Sequence, residues 1–159
     1  MKFIMFFSIF LLLGFNMSDE KTYDRTYYNN GNLKSEGWLR YNVKTDYWKF
    51  YHKNGKVASQ GPYAYGKEDG YWYFFDKNRI RTKEGHYAKG EQVDWWLYYD
   101  KKGRINHKCQ LDMGVKNGYC LKYEDEKIIS AEKYSHGEKI KEWTNFGAFR
   151  KENSVSDLK

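Results

Sequence analysis

Residues 66–80 read GKEDGYWYFFDKNRI, and five aromatic side chains, Tyr71 to Phe75, stand in that stretch without a break. Such a row is a core strand, a stacking platform for a ligand, or one copy of a repeated unit. The flanking sequence decides. Trp72 has Trp48 24 residues before it and Trp96 24 after it; Cys120 takes the next place and Trp143 follows after 23. Gly31, Gly55 and Gly103 keep the same step, with Arg79 in the vacant place. Gly37, Gly61 and Gly85 form a third column, and Gly66, Gly90, Gly114 and Gly137 a fourth, headed by Asn42. Independent columns in one frame mark an internal repeat. Five copies are predicted, at about 27–50, 51–74, 75–98, 99–122 and 123–146, the last shortened by one residue between Tyr123 and Glu132.

Within a unit, KNG (Lys53 to Gly55) and KKG (Lys101 to Gly103) are tight-turn sequences, while GKEDG (Gly66 to Gly70) and GVKNG (Gly114 to Gly118) predict a second, longer turn. Short segments rich in Tyr, Trp, Phe, Val and Ile lie between them. Turn signals thus recur about every 12 residues, which leaves room for strands and not for helices. The predicted fold is all-β: an elongated, single-layer antiparallel meander with two strands per repeat.

Strand alternation sends successive side chains to opposite faces. One face is predicted to carry Trp48, Trp72, Trp96, Cys120 and Trp143 with Phe50, Phe74 and Tyr98. The other carries Tyr47, Tyr71, Trp95 and Tyr119, together with Tyr51, Phe75, Tyr99 and Tyr123. Equivalent rings stand two strands apart, about 9.6 Å. The gaps are expected to be filled by Leu33, Val57, Ile105 and Ile129, or by Trp38, Tyr63, Tyr87 and Leu111. These two aromatic ladders are the candidate binding and structural columns.

Composition fits that reading. Of 159 residues 40% are hydrophobic, and half of these are aromatic (20%), so rings rather than aliphatic side chains must supply the burial. The chain opens Met1-Lys2 and then runs from Phe3 to Phe15 without a charge, the n- and h-regions of a secretory signal. As a helix that run reaches about 20 Å, short of the ~30 Å hydrocarbon core. A signal peptide over residues 1–18 is therefore predicted, with an uncleaved anchor as the alternative, followed by a linker at 19–26. The protein is expected to be exported to the periplasm, cell envelope or medium. Loss of residues 1–18 removes one charge, Lys2, and takes the net charge from +7 to +6. The last residues, 147–159, read as a polar, mobile tail.

YYNNGNLKSEGWLRYNVKTDYWKF (Tyr27 to Phe50) and YHKNGKVASQGPYAYGKEDGYWYF (Tyr51 to Phe74) resemble the bacterial MORN-variant repeat, whose unit runs Tyr, Asn-Gly, Ser-Glu-Gly, Tyr, Gly, Asp-Gly, Trp, Tyr. The likeness spans Tyr27 to Phe146. It departs at Asp46-Tyr47, where Asp-Gly is expected, at Cys120 in place of Trp, and in the short fifth repeat. Proteins similar to this one include the YwqK-type antitoxin family and many exported bacterial proteins. The resemblance implies a non-catalytic protein-binding module, with an antitoxin-like or immunity-like partner role.

No motif in the sequence points to catalysis, a metal or a small-molecule cofactor. His52, His86, His107 and His136 fall in different repeat positions and in no ligand spacing, and Glu68, Asp69, Asp94 and Asp112 sit where turns need polar groups. Pairing Met113 with Tyr119 would put Cys109 opposite Tyr123, about 10 Å along the strand from Cys120 and too far for a disulfide. That register leaves Cys109 as a surface thiol. A bulge in the glycine column that Cys109 occupies would instead permit a bridge. Lys77, Arg79, Arg81 and Lys83, with Lys101, Lys102, Arg104 and Lys108 one repeat later, predict a basic stripe. A protein is the expected partner, an anionic membrane surface is the second reading, and nucleic acid is disfavoured for an exported chain.

Overall fold

The computed structural model describes residues 20–158; the predicted signal segment lies outside them. Twelve strands follow in chain order: β1 (Lys21–Tyr27), β2 (Leu33–Arg40), β3 (Val43–Tyr51), β4 (Val57–Ala64), β5 (Lys67–Glu68), β6 (Gly70–Phe75), β7 (Arg81–Ala88), β8 (Glu91–Tyr99), β9 (Ile105–Asp112), β10 (Val115–Glu124), β11 (Lys127–Ser135) and β12 (Glu138–Trp143). A short helix, α1 (Phe146–Glu152), and a 3₁₀ turn (Val155–Leu158) close the chain. All strands belong to one open antiparallel sheet in which sequence neighbours pair; β5 is a two-residue piece on β4 that leads into β6. The chain is an all-β meander.

Two kinds of turn alternate, and their lengths are the reverse of those predicted. At the KNG position, His52 N–H donates to Lys56 O (2.8 Å) and Gly55 N–H to His52 O (2.9 Å), with Gly55 at φ 79°. That is a three-residue loop ending in a left-handed residue. At the other end each turn is only two residues with both φ positive: Tyr41-Asn42, Tyr65-Gly66, Lys89-Gly90, Met113-Gly114 and His136-Gly137. Such turns match the right-handed twist of the strands they join. What looked like loop between Gly66 and Gly70 is strand and bulge. The residue missing from repeat five lies in the β10–β11 turn, which shrinks to Asp125-Glu126 between the paired Glu124 and Lys127.

The bulge creates the core. Between the pairs Glu36↔Lys49 and Trp38↔Thr45, Gly37 alone opposes Asp46, Tyr47 and Trp48. The surplus residues throw the Trp48 indole back over Gly37. A Cβ built there would lie 2.3 Å from the ring, and Gly61 and Gly85 stand equally close beneath Trp72 and Trp96. With the side chain absent, indole covers backbone directly, and the relative exposures of Trp48, Trp72 and Trp96 are 1%, 2% and 0%. Each indole also donates to a carbonyl ten residues earlier: Trp48 to Trp38 O, Trp72 to Pro62 O and Trp96 to His86 O, at 2.9 to 3.0 Å. Three of the largest side chains are thus buried without a second layer.

Several expectations are corrected. The predicted linker at 19–26 is largely strand, since β1 pairs with β2 from Lys21↔Arg40 onwards. The predicted mobile tail is folded: Asn145 caps α1, its Oδ1 accepting from Ala148 N–H, and Phe149 is buried edge-on against Tyr119 and Trp143. The predicted Cys109 register is off by three residues, because the turn closes at Met113-Gly114 instead of over Gly114 to Gly118 and a bulge follows it. Two extra residues between Lys116↔Leu111 and Cys120↔Cys109 bring the cysteines face to face, Cα atoms 4.0 Å apart, in a buried disulfide. Trp143 leaves its column. Between β11 and β12 the bulge holds one surplus residue, Ile140, instead of two, and one residue of slip reverses a side chain's face. Trp143 therefore packs with Tyr119, Leu121 and Ala131 on the opposite side.

Candidate interaction surface

The two faces differ in kind. On the tryptophan-bearing face each rung is tied to the next by rings. Phe50 stands 6.0 Å from Trp48 and 6.1 Å from Trp72, and Phe74 repeats this between Trp72 and Trp96. Tyr63 and Tyr87 meet Trp72 and Trp96 edge-on at 5.2 and 5.1 Å. They fill the gaps as expected of them, whereas Trp38 belongs to the opposite face, in edge contact with Tyr23 at 5.0 Å. Lys44 lays its ammonium over Trp48, Phe50 and Tyr63, and Lys83 covers Phe74 and Trp96. Burial holds the Lys83 amine below its ordinary pKa. This face is closed over by its own side chains.

The tyrosine-bearing face is built from ion pairs and phenols. Tyr51 donates to Glu36 Oε1 (2.6 Å) and Arg25 pairs with Glu36 Oε2 (3.2 Å). Two repeats on, Tyr99 donates to Glu84 Oε1 (2.5 Å) and Arg81 pairs with Glu84 Oε2 (2.8 Å). The Tyr51 bond holds the Glu36 carboxyl below the usual range, and burial first, then the glutamate, pushes the phenols of Tyr51 and Tyr99 up. Tyr71 packs on Tyr73 and His86, burial raising its hydroxyl to about 12. Lys108 covers Trp95 at 4.4 Å. Phe75 and Tyr123 are half-buried. Tyr119 is buried, its hydroxyl donating to Asn153 Oδ1.

Toward the β1 edge this face opens. Tyr23, Trp38 and Tyr47, on the consecutive strands β1, β2 and β3, keep relative exposures of 45%, 40% and 44%. Of the predicted columns only Tyr47 belongs to that cluster. Tyr23 and Trp38 were not singled out as binding residues, because Tyr23 falls in the supposed linker and Trp38 was assigned to a gap. Their even spacing from Arg25 and Glu36 on paired strands is the signal that places them.

Of the predicted basic stripe, Lys77, Arg79, Lys101 and Lys102 are exposed in the β6–β7 and β8–β9 turns at one end of the sheet, and the other four residues are engaged elsewhere. Lys83 and Lys108 lie over rings on opposite faces, Arg81 is paired with Glu84, and Arg104 binds Asp100 and Asp125. The histidines are apart: His52 Nε2 meets Phe75 O at 2.9 Å, His86 packs against Tyr71, His107 stacks on Tyr98, and His136 sits in a turn beside Ser135.

No family model and no curated protein matches the chain. Among solved structures it is similar to the GtfA/B complex bound to UDP and GlcNAc, at 10% identity and TM-score 0.45 over 68% of this chain and 24% of that one. It is also similar to accessory secretory protein 1, 2 and 3 of Streptococcus pneumoniae, at 10% identity and TM-score 0.37 over 80% and 22%. The chain thus spans about a quarter or less of either. Likeness at that level carries no argument about function.

Proposed function

We propose that the chain is a non-catalytic, exported repeat module of the MORN-variant type that binds another protein in an antitoxin-like or immunity-like role. Its contact surface is the open end of the tyrosine-bearing face. The observation that carries this is the asymmetry of the two faces: Trp48, Trp72 and Trp96 are sealed by their own neighbours, while Tyr23, Trp38 and Tyr47 stay exposed on three adjacent strands. Tyr and Trp are the side chains that dominate protein interfaces, because they bury large area at small conformational cost. Attachment to an anionic membrane is less well supported, since Lys83, Lys108, Arg81 and Arg104 are divided between faces and engaged with rings and carboxylates, which leaves it only the turn residues Lys77, Arg79, Lys101 and Lys102.

Capture from the native host with residues 20–159 as bait, beside the double variant Trp38→Ala/Tyr47→Ala, tests the reading. One defined partner retained by the wild type and lost by the variant, with both proteins equally folded, is expected. Sedimentation with anionic vesicles and no partner dependent on Trp38 and Tyr47 would overturn it.

A further inference from the structure

The tryptophan ladder is interrupted at Cys120, and the interruption leaves a space. At Trp48 and Trp72 the indole at position n lies on a glycine at n−11, with a Phe at n+2 and a Tyr at n+15; Trp96 keeps the glycine but has Tyr98 and Leu111 in those two places. Trp48 shows the full set: Gly37 beneath it, Lys44 4.8 Å above its ring, Phe50 at 6.0 Å and Tyr63 at 6.2 Å. The same positions around Cys120 are Cys109, Lys116, Lys122 and Tyr134. Lys116 lies 4.5 Å over the Tyr134 ring, as Lys44 lies 5.0 Å over Tyr63. His107, stacked on Tyr98 at 4.4 Å, supplies a flat wall on the side of the preceding rung. What differs is the filling. Two cysteine side chains replace an indole on a glycine, and a groove of about 380 Å³ opens above the buried cystine, bordered by His107, Lys116, Lys122 and Tyr134.

We infer that this groove is a vacant rung that accepts a planar aromatic ring, and that the ring is a tryptophan side chain of the partner protein. The chain supplies its own template, because three indoles already occupy equivalent places. The Lys116 ammonium is set where it meets the negative face of an inserted ring, as Lys44 meets Trp48. Glu132, at the far wall, is neutralised by Lys122 (2.9 Å) and Lys139 (3.3 Å), so no uncompensated carboxylate faces the guest. The inference rests on the protein-binding reading for the source of the ring, while the slot itself can be tested without a partner.

The probe is N-acetyl-tryptophanamide, titrated into residues 20–159 by NMR, with N-acetyl-leucinamide as control. The tryptophan amide should shift the resonances of His107, Lys116 and Tyr134 with a millimolar dissociation constant, in the range of a ligand that buries one ring. The leucine amide should not. Cys109→Gly/Cys120→Trp rebuilds the regular rung and should abolish the shifts while keeping the β-sheet circular dichroism. Lys116→Met, which leaves the core intact, should weaken binding by about two- to fivefold, the size of one exposed cation–π contact. Absence of shifts at about 10 mM amide, well above that millimolar expectation, or equal binding by Lys116→Met, overturns the slot. If the amide binds there but no protein is captured through Trp38 and Tyr47, the slot stands and the protein-binding reading falls.

Discussion

At the scale of single residues the fold turns on what glycine lacks. Gly61 is needed because any Cβ would lie about 2.4 Å from the Trp72 ring. Gly61→Ala should therefore lower stability by about 1–3 kcal/mol, the usual size of core overpacking, read as a shift in the urea midpoint. Arg79 is the converse case. It occupies the left-handed place that Gly31, Gly55 and Gly103 hold in the other repeats, at φ 72°. Because an L side chain costs about 1–2 kcal/mol there and glycine loses part of that to chain entropy, Arg79→Gly should stabilise by up to about 1 kcal/mol. The phenols give a pH signature. Burial raises the hydroxyl pKa values of Tyr51, Tyr63, Tyr71 and Tyr99, that of Tyr71 to about 12. A group whose pKa is raised by folding contributes stability that is whole below its unfolded value, about 10 for tyrosine, and is lost as pH climbs through the folded value. Phenolate absorbance should consequently lag between about pH 10 and 12 and rise together with unfolding; ordinary titration of all 16 tyrosines in an intact fold would contradict this.

At the scale of elements, the hairpins show where the sequence was legible and where it was not. The 24-residue columns and the turn glycines gave the meander and its strand count per repeat, since turn chemistry and ring spacing are local. The bulges were invisible to alternation, which assumes an even ladder, and each surplus residue changed which side chains meet. Cys109 and Cys120 are the clearest instance. Their separation of 11 is the same as that of Gly37 and Trp48, Gly61 and Trp72, and Gly85 and Trp96. The disulfide stands in the place of a glycine–tryptophan rung, and that shared spacing was the signal that could have revealed it. Closing a loop of this size stabilises by about 3 kcal/mol. Urea unfolding with and without reductant should differ by roughly 2–3 kcal/mol, and intact-mass measurement without reductant should find two hydrogens fewer than the free-thiol chain. Equal midpoints would mean that the β9–β10 rung holds without its bridge.

At the scale of the whole molecule, backbone pairing runs only between neighbouring strands and rings reach one strand further, so stability is a sum of rungs and their neighbours. The sheet is finished differently at its two ends. At the β12 end Trp143, turned over by the shortened bulge, joins Tyr119 and Phe149 of α1 to close the face. At the β1 end Arg25 lies over the Tyr23 ring at 5.1 Å, yet Tyr23, Trp38 and Tyr47 all stay exposed. Sequence alternation could assign rings to two faces but not say which is sealed, because both carry aromatics at the same period; only the glycine beneath each tryptophan distinguishes them. On the proposed reading, the tryptophan face is the core and the β1 end of the other face is the contact surface for a partner. Urea denaturation of Trp72→Ala beside Tyr47→Ala tests it most directly. The expected result is a loss of about 3–5 kcal/mol for Trp72→Ala and within about 0.5 kcal/mol for Tyr47→Ala; equal losses, or a larger one at Tyr47, would contradict it.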